Sequence, residues 1–217
     1  MTSYFLFFDL ETTGLFLAKK KEIDFRKSEQ FPHIVQLSWQ LVEYTNGDFK
    51  TKENIDYVIR PDGYTIPQES SAIHGISEQV AKEKGVPIRE ALQKWIEHYK
   101  LYPNTYLVCH NIEFDVTLLF YHLYRVFPKI KLDTVPCICT MLDSVALCKL
   151  PSMSKFKNPK DPYKYPKLSE LYTFLFGKMP SGTLHNSQYD VECTIECFKE
   201  LKKRDQLTVR NASLLIE

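Results

Sequence analysis

Apolar residues recur along this chain with two periods, and they predict both strands and helices. From Tyr4 to Leu10 the run is aromatic and apolar and ends in charge, as a buried strand does. Ile34 to Val42 alternates apolar and polar, and Asn46-Gly47 follows as a hairpin turn into a return strand near Ile55 to Ile59. The period then changes: Ile88, Ala91, Leu92, Trp95, Ile96 and Tyr99 fall at helical intervals between Val86 and Tyr99, with Pro87 in the first turn. Tyr106 to Cys109 reads as a short buried strand, and Asn111 as the N-cap of a helix that runs to about Val126 and is stopped by Pro128. A strand near Val135 to Cys139 and helices from about Met141 to Leu147, Lys167 to Phe176 and Ser187 to Lys203 complete the pattern. After the opening three-stranded antiparallel meander, strands and helices alternate. The expectation is an α/β domain whose central mixed five-stranded sheet is flanked by helices.

Two stretches interrupt this order. Leu15 to His33 sets Lys19, Lys20, Lys21, Arg26 and Lys27 against three acids, and Lys149 to Lys167 holds six lysines, four prolines and one aspartate, with Tyr163 and Tyr165 among them. The second cannot pack a core or continue a helix, the first is irregular, and both are read as basic loops, 15–33 and 149–167. The chain is read as one domain over 1–217, with a core from about 4 to 203 and a short tail, 204–217.

Charge and composition narrow the function classes. With 28 Lys+Arg against 27 Asp+Glu, the net charge of +1 supplies no global field for a polyanion, so any such site must be local. The longest purely apolar run, Tyr4 to Phe8, is far below the roughly 18 residues that span a bilayer. That predicts a soluble, intracellular chain without a signal peptide or a membrane partner. Cys109, Cys137, Cys139, Cys148, Cys193 and Cys197 include no CxxC pair, which points to buried reduced thiols and away from zinc. Neither GxGxxG nor GxxxxGK[ST] occurs among seven glycines, which excludes a generic phosphate-loop nucleotide binder.

The candidate chemistry lies in carboxylates. In Phe8-Asp9-Leu10-Glu11-Thr12-Thr13-Gly14, Asp9 and Glu11 are two residues apart on a strand and project from one face, where they repel unless a cation lies between them. The glycine turn after Thr12 and Thr13 lets backbone amides approach a ligand. His110-Asn111-Ile112-Glu113-Phe114-Asp115 places another carboxylate in the first turn of a helix, and Leu184-His185-Asn186-Ser187-Gln188-Tyr189-Asp190 supplies a histidine and an aspartate five residues on. Four acids from three segments, with a histidine beside the last, form the constellation that a hard divalent cation needs.

These segments resemble the DEDDh exonucleases of the DnaQ-like superfamily, which have a ribonuclease H-like fold. Asp9 and Glu11 match the first motif, His110-Asn111 and Asp115 the second, and His185 and Asp190 the third. Ile73-His74-Gly75-Ile76-Ser77 matches an element that lies beside the 3′-terminal nucleotide in such enzymes. The resemblance runs from about Tyr4 to Leu201. This chain departs from it in having Ser187-Gln188 where Ala-Leu is common, and in a longer 15–33 insertion.

The resemblance implies a 3′→5′ exonuclease that prefers single strands and releases nucleoside 5′-monophosphates. Two divalent cations would act about 3.5 to 4 Å apart, Mg2+ first and Mn2+ as a substitute, held by hard oxygen ligands. Asp9 would bridge both, Glu11 and Asp190 would complete the first and Asp115 would help hold the second, with His185 as the base. Thr12, Thr13, Gly14, His74, Gly75, Ile76, Asn111 and Phe114 would contact substrate. From the composition of 149–167, where six lysines are interleaved with Tyr163 and Tyr165, Lys155, Lys157, Lys160 and Lys164 are expected to hold the backbone of a nucleic acid with a free 3′ end. A polymerase or repair partner, the choice of DNA or RNA and the oligomeric state stay open, and a catalytically silent nucleic-acid-binding module on the same fold is the alternative function.

Overall fold

The computed structural model describes residues 2–17, 22–130, 134–152 and 162–212. Its centre is a sheet in the order β3-β2-β1-β4-β5-β6. The strands are β1 (Thr2–Thr12), β2 (Ile34–Thr45), β3 (Asp48–Val58), β4 (Tyr106–Cys109), β5 (Val135–Cys139) and β6 (Arg210–Ala212). β1, β2 and β3 form the antiparallel meander, and β4 and β5 join in parallel.

Among the described residues the sheet has six strands where five were expected. Part of the segment read as a tail adds β6 antiparallel to β5. Asp143 anchors it, accepting from Thr208 N at 3.1 Å and from Arg210 Nη2 at 2.6 Å. Three residues without alternation carry no strand signal, so this pairing is set by tertiary contacts.

The helices are α1 (Gln68–His74), α2 (Glu78–Lys84), α3 (Ile88–Lys100), α4 (Ile112–Val126), α5 (Thr140–Cys148), α6 (Leu168–Phe176) and α7 (Ser187–Lys203). The periodicity does not show α1 and α2, which have seven residues each. Ser77 starts α2 by accepting from Val80 N. Val86, expected in the first turn of α3, instead forms a parallel bridge to Ile59. Asn111 starts α4 without a side-chain cap and with φ of 78°, a left-handed conformation that Asn tolerates better than most residues. Within the 15–33 insertion, Ser28–Gln30 forms one 3-10 turn.

Alternation along β1 divides the core. Leu6, Phe8 and Leu10 pack with Trp95 of α3 and Leu118 and Leu119 of α4, whereas Phe5 and Phe7 pack with Val191, Ile195 and Phe198 of α7. Trp39, Trp95, Phe7 and Phe198 are fully enclosed. All six cysteines are free and buried. No helix among the described residues is long and apolar enough to cross a membrane.

Candidate active site

Asp9 and Glu11 continue the face of β1 that carries Phe5 and Phe7, so they leave the sheet on the side of α7. In the β1–β2 register Asp9 lies opposite Ser38 and Glu11 opposite Gln36. Those two β2 residues hold the start of α7: Ser187 N donates to Gln36 Oε1 at 3.2 Å, and Ser187 Oγ lies 2.5 Å from Ser38 Oγ. Asn186 caps the helix by accepting from Tyr189 N. Asp190, in the first turn, is thereby brought to Glu11. One ligating atom each from Glu11, His185 and Asp190 lies within 4.8 Å of the others.

The second motif arrives through the parallel pair β1–β4, in which Phe7 is level with Val108. His110 and Asn111 follow β4, and Asp115 stands buried in the first turn of α4. All four carboxylates line one open cleft of about 490 Å³.

Among the expected contact residues, Thr12, Gly14, His74, Asn111, Phe114 and His185 also line that cleft. Thr13, Gly75 and Ile76 do not. Thr13 is tied to His33, its N–H donating to His33 O and its Oγ1 accepting from His33 N, both at 2.9 Å. Gly75 ends α1 with φ of 76°, a conformation that glycine adopts without strain, and Ile76 is buried against Val35, Ile66 and Ala81. Lys164 is ion-paired with Glu170 and does not line the cleft, and Lys155, Lys157 and Lys160 lie outside the described residues.

Apolar periodicity gives no sign of several further lining residues. Leu15 and Ile73 reach the cleft although they are 77% and 60% exposed, and Leu168 joins them. Their position next to a Thr-Thr-Gly turn and a His-Gly pair is the signal that would have marked Leu15 and Ile73.

Among the described residues no lysine or arginine lines the cleft. Burial is the first cause that raises the carboxyl pKa values, and the other acids add to it. Asp9 is pushed well up by burial and then by Asp115, Asp190 and Glu11. Glu11 rises to about 8, through burial and Asp190. Asp115 is raised by burial and Glu11, against the backbone amides of Leu10 and of Asp115 itself. Asp190 rises only to about 6, because the His185 amide and imidazole oppose its burial. Asp190 Oδ2 accepts from His185 N at 3.0 Å, while the buried Oδ1 has no partner. Four hard-oxygen donors that resist ionisation together, one with an orphaned oxygen, fit a site for divalent cations.

Two further histidines border the acids. His74 Nδ1 accepts from Ile76 N at 3.1 Å, so the neutral ring carries its proton on Nε2, which is buried and unpartnered. His110 Nε2 donates to Pro166 O at 2.9 Å, which ties the base of the 149–167 loop to the second motif. Its pKa is lowered to about 4, chiefly by burial.

Comparison with solved structures gives the same fold. Escherichia coli exonuclease I in complex with a dT13 oligonucleotide is 22% identical with a TM-score of 0.67, over 94% of this chain and 42% of that one. A moderately thermophilic exonuclease I from Methylocaldum szegediense is 18% identical with a TM-score of 0.64, over 93% of this chain and 41% of that one. This chain thus spans about two-fifths of the length of those proteins. No curated protein matches it by sequence. The RNase T exonuclease family model matches residues 6–198, and the chain belongs to that family, a DnaQ-like exonuclease domain on a ribonuclease H-like fold.

Proposed function

We propose that the chain is a divalent-metal-dependent 3′→5′ exonuclease of the DEDDh type, acting on single-stranded ends. The observation that carries this reading is the convergence of Asp9, Glu11, Asp115 and Asp190 in one cleft. Oligonucleotides are bound in the exonuclease I structures, which supports a nucleic-acid strand as the substrate.

The four carboxylates would hold two cations, Mg2+ or Mn2+, with Asp190 Oδ1 as one free ligand atom. Bound there, the cations supply charge that neutralises the scissile phosphate and the leaving 3′ oxygen and acidifies the attacking water. The chain's own residues do the rest. His185 borders Glu11 and Asp190 and takes the proton of the water. Leu15 and Ile73 are apolar surfaces at the cleft on which a terminal base can rest, and His74 Nε2–H is a donor for it.

The test is an oligonucleotide labelled at either end. Mononucleotide release from the 3′ end that EDTA abolishes, with binding retained, is the expected result. Release from the 5′ end would overturn the polarity, and binding without hydrolysis in Mg2+ would favour the silent module.

A further inference from the structure

The chain has six arginines. Arg26, Arg204 and Arg210 are ion-paired with Asp24, Glu200 and Asp143. Among the described residues the other three, Arg60, Arg89 and Arg125, have no ion-pair partner, and all three line one cavity of about 640 Å³. They reach it from separate elements: Arg60 follows β3, Arg89 lies in the first turn of α3 and Arg125 in the last turn of α4. Among the described residues Asp62 is the one acid in the lining. Arg60 Nε donates to Gly85 O at 3.0 Å and Arg89 Nη2 to Val126 O at 3.1 Å, with the Arg89 guanidinium also 5.0 Å from the Phe127 ring centre, which orients both guanidiniums. One wall is flat, with His33 stacked on Tyr64 at 3.9 Å.

Three guanidinium side chains in one lining give it an excess of positive charge, which favours an anion. Guanidinium forks match phosphate oxygens, and the volume is that of a ligand pocket. The cavity is next to the catalytic cleft. Thr12 lines the cleft, and its neighbour Thr13 exchanges two hydrogen bonds with His33 of the cavity. Asp115 and His122, one in each lining, are seven residues apart on α4, about 10 Å of helix rise.

We propose that this cavity is a second phosphate-binding site, distinct from the carboxylate cleft. Its phosphate comes from the nucleic-acid strand beyond the cleaved end or from a free nucleotide. The first source rests on the exonuclease reading; the charge geometry does not.

Binding in EDTA tests the site without catalysis. The Arg60→Gln/Arg89→Gln/Arg125→Gln variant and the single variant Arg125→Glu are compared with the wild type, with circular dichroism to verify folding; Arg125 makes no backbone contact that its replacement would break. If the strand is the source, the triple variant binds a labelled 20-mer about tenfold more weakly, and its salt slope falls by about 2, at about 0.7 per phosphate contact on a single strand. A trinucleotide confined to the cleft keeps its Kd within about twofold. If titration calorimetry instead shows that a 5′-mononucleotide loses affinity in both variants while the 20-mer slope holds, the source is the free nucleotide. Unchanged binding of both ligands overturns the proposal. Failure of the wild type to release mononucleotides would sink the exonuclease reading and leave these binding measurements standing.

Discussion

Ser187 Oγ lies 2.5 Å from Ser38 Oγ, a buried contact between the first turn of α7 and the middle of β2. Ser38 already donates to Asp56 Oδ1 at 2.6 Å, so Ser187 is the donor of the pair. The position is one where the sequence departs from its family pattern, with serine in place of a small apolar residue, and Ser38 supplies the acceptor. Ser187→Ala removes one donor and strands no partner, so the cost is about 1 kcal/mol with activity within a few-fold of wild type. Ser187→Leu overfills an enclosed site, displaces Asp190 from Glu11, and costs about 1 to 3 kcal/mol. Thermal melts and initial rates of the two variants check this. A Leu variant as active as the Ala variant would show that α7 is not positioned by this contact.

The convergence of the four carboxylates was legible in the sequence because each motif couples a short spacing to a strand end or helix start. Asp9 and Glu11 share a face through strand alternation, and α7 begins at Ser187, where its pattern predicts. What local pattern could not show was long-range. β6 depends on Asp143, sixty-odd residues away, and the His33–Thr13 link spans an insertion that reads only as a basic loop. The expected cap at Asn111 failed because that residue turns the chain through a left-handed conformation, and the ion pair of Lys164 with Glu170 carried no sequence signal.

Removing a carboxylate from the cleft should separate stability from activity. Asp9→Asn, Glu11→Gln, Asp115→Asn and Asp190→Asn each relieve repulsion, so each variant melts at or above the wild-type temperature in EDTA while turnover falls by several orders of magnitude. Full activity in Asp9→Asn or Asp190→Asn would sink the site assignment.

Metal-free stability should fall with rising pH. Glu11 has a folded pKa of about 8 against an ordinary 4.5, and Asp190 about 6 against 3.8, both raised first by burial. The folded state holds the extra protons, so these contributions are complete below the unfolded values and are lost as pH rises from about 4 to 8. In EDTA the melting temperature of the wild type, taken relative to Glu11→Gln, should decline from pH 5 to pH 8, and Mg2+ should restore more at pH 8 than at pH 5. A difference curve that is flat over this range would contradict the shift.

His110 and His122 act in the opposite direction. Burial lowers each pKa to about 4 from 6.5, so the unfolded chain takes up protons first and stability is lost as pH falls from 6.5 towards 4. His122 also donates to Pro32 O at 3.2 Å, and neither ring can accept a charge without losing its burial advantage. Denaturant melts of wild type against His122→Gln should converge as pH falls, by on the order of 1 to 3 kcal/mol across that window. Parallel curves would show that His122 titrates as it does in the unfolded chain.

His185 is the test of how the chain moves a proton. Its amide is committed to Asp190 Oδ2 while its exposed ring stands within 4.8 Å of Glu11 and Asp190, so the ring can act as a base or as a third ligand. The two roles separate on metal affinity. A base contributes typically about 10²- to 10⁴-fold to the chemical step, so His185→Ala should lose that much single-turnover rate while its Mg2+ affinity stays within about threefold of wild type. A ligand would lose affinity first, and saturating Mg2+ would then rescue the rate. Because His185 sits at φ of 62°, His185→Asn is the better control for folding, since Asn tolerates that conformation. If both variants keep the wild-type single-turnover rate within a few-fold over the same pH profile, His185 is not the base, and the carboxylates act without it.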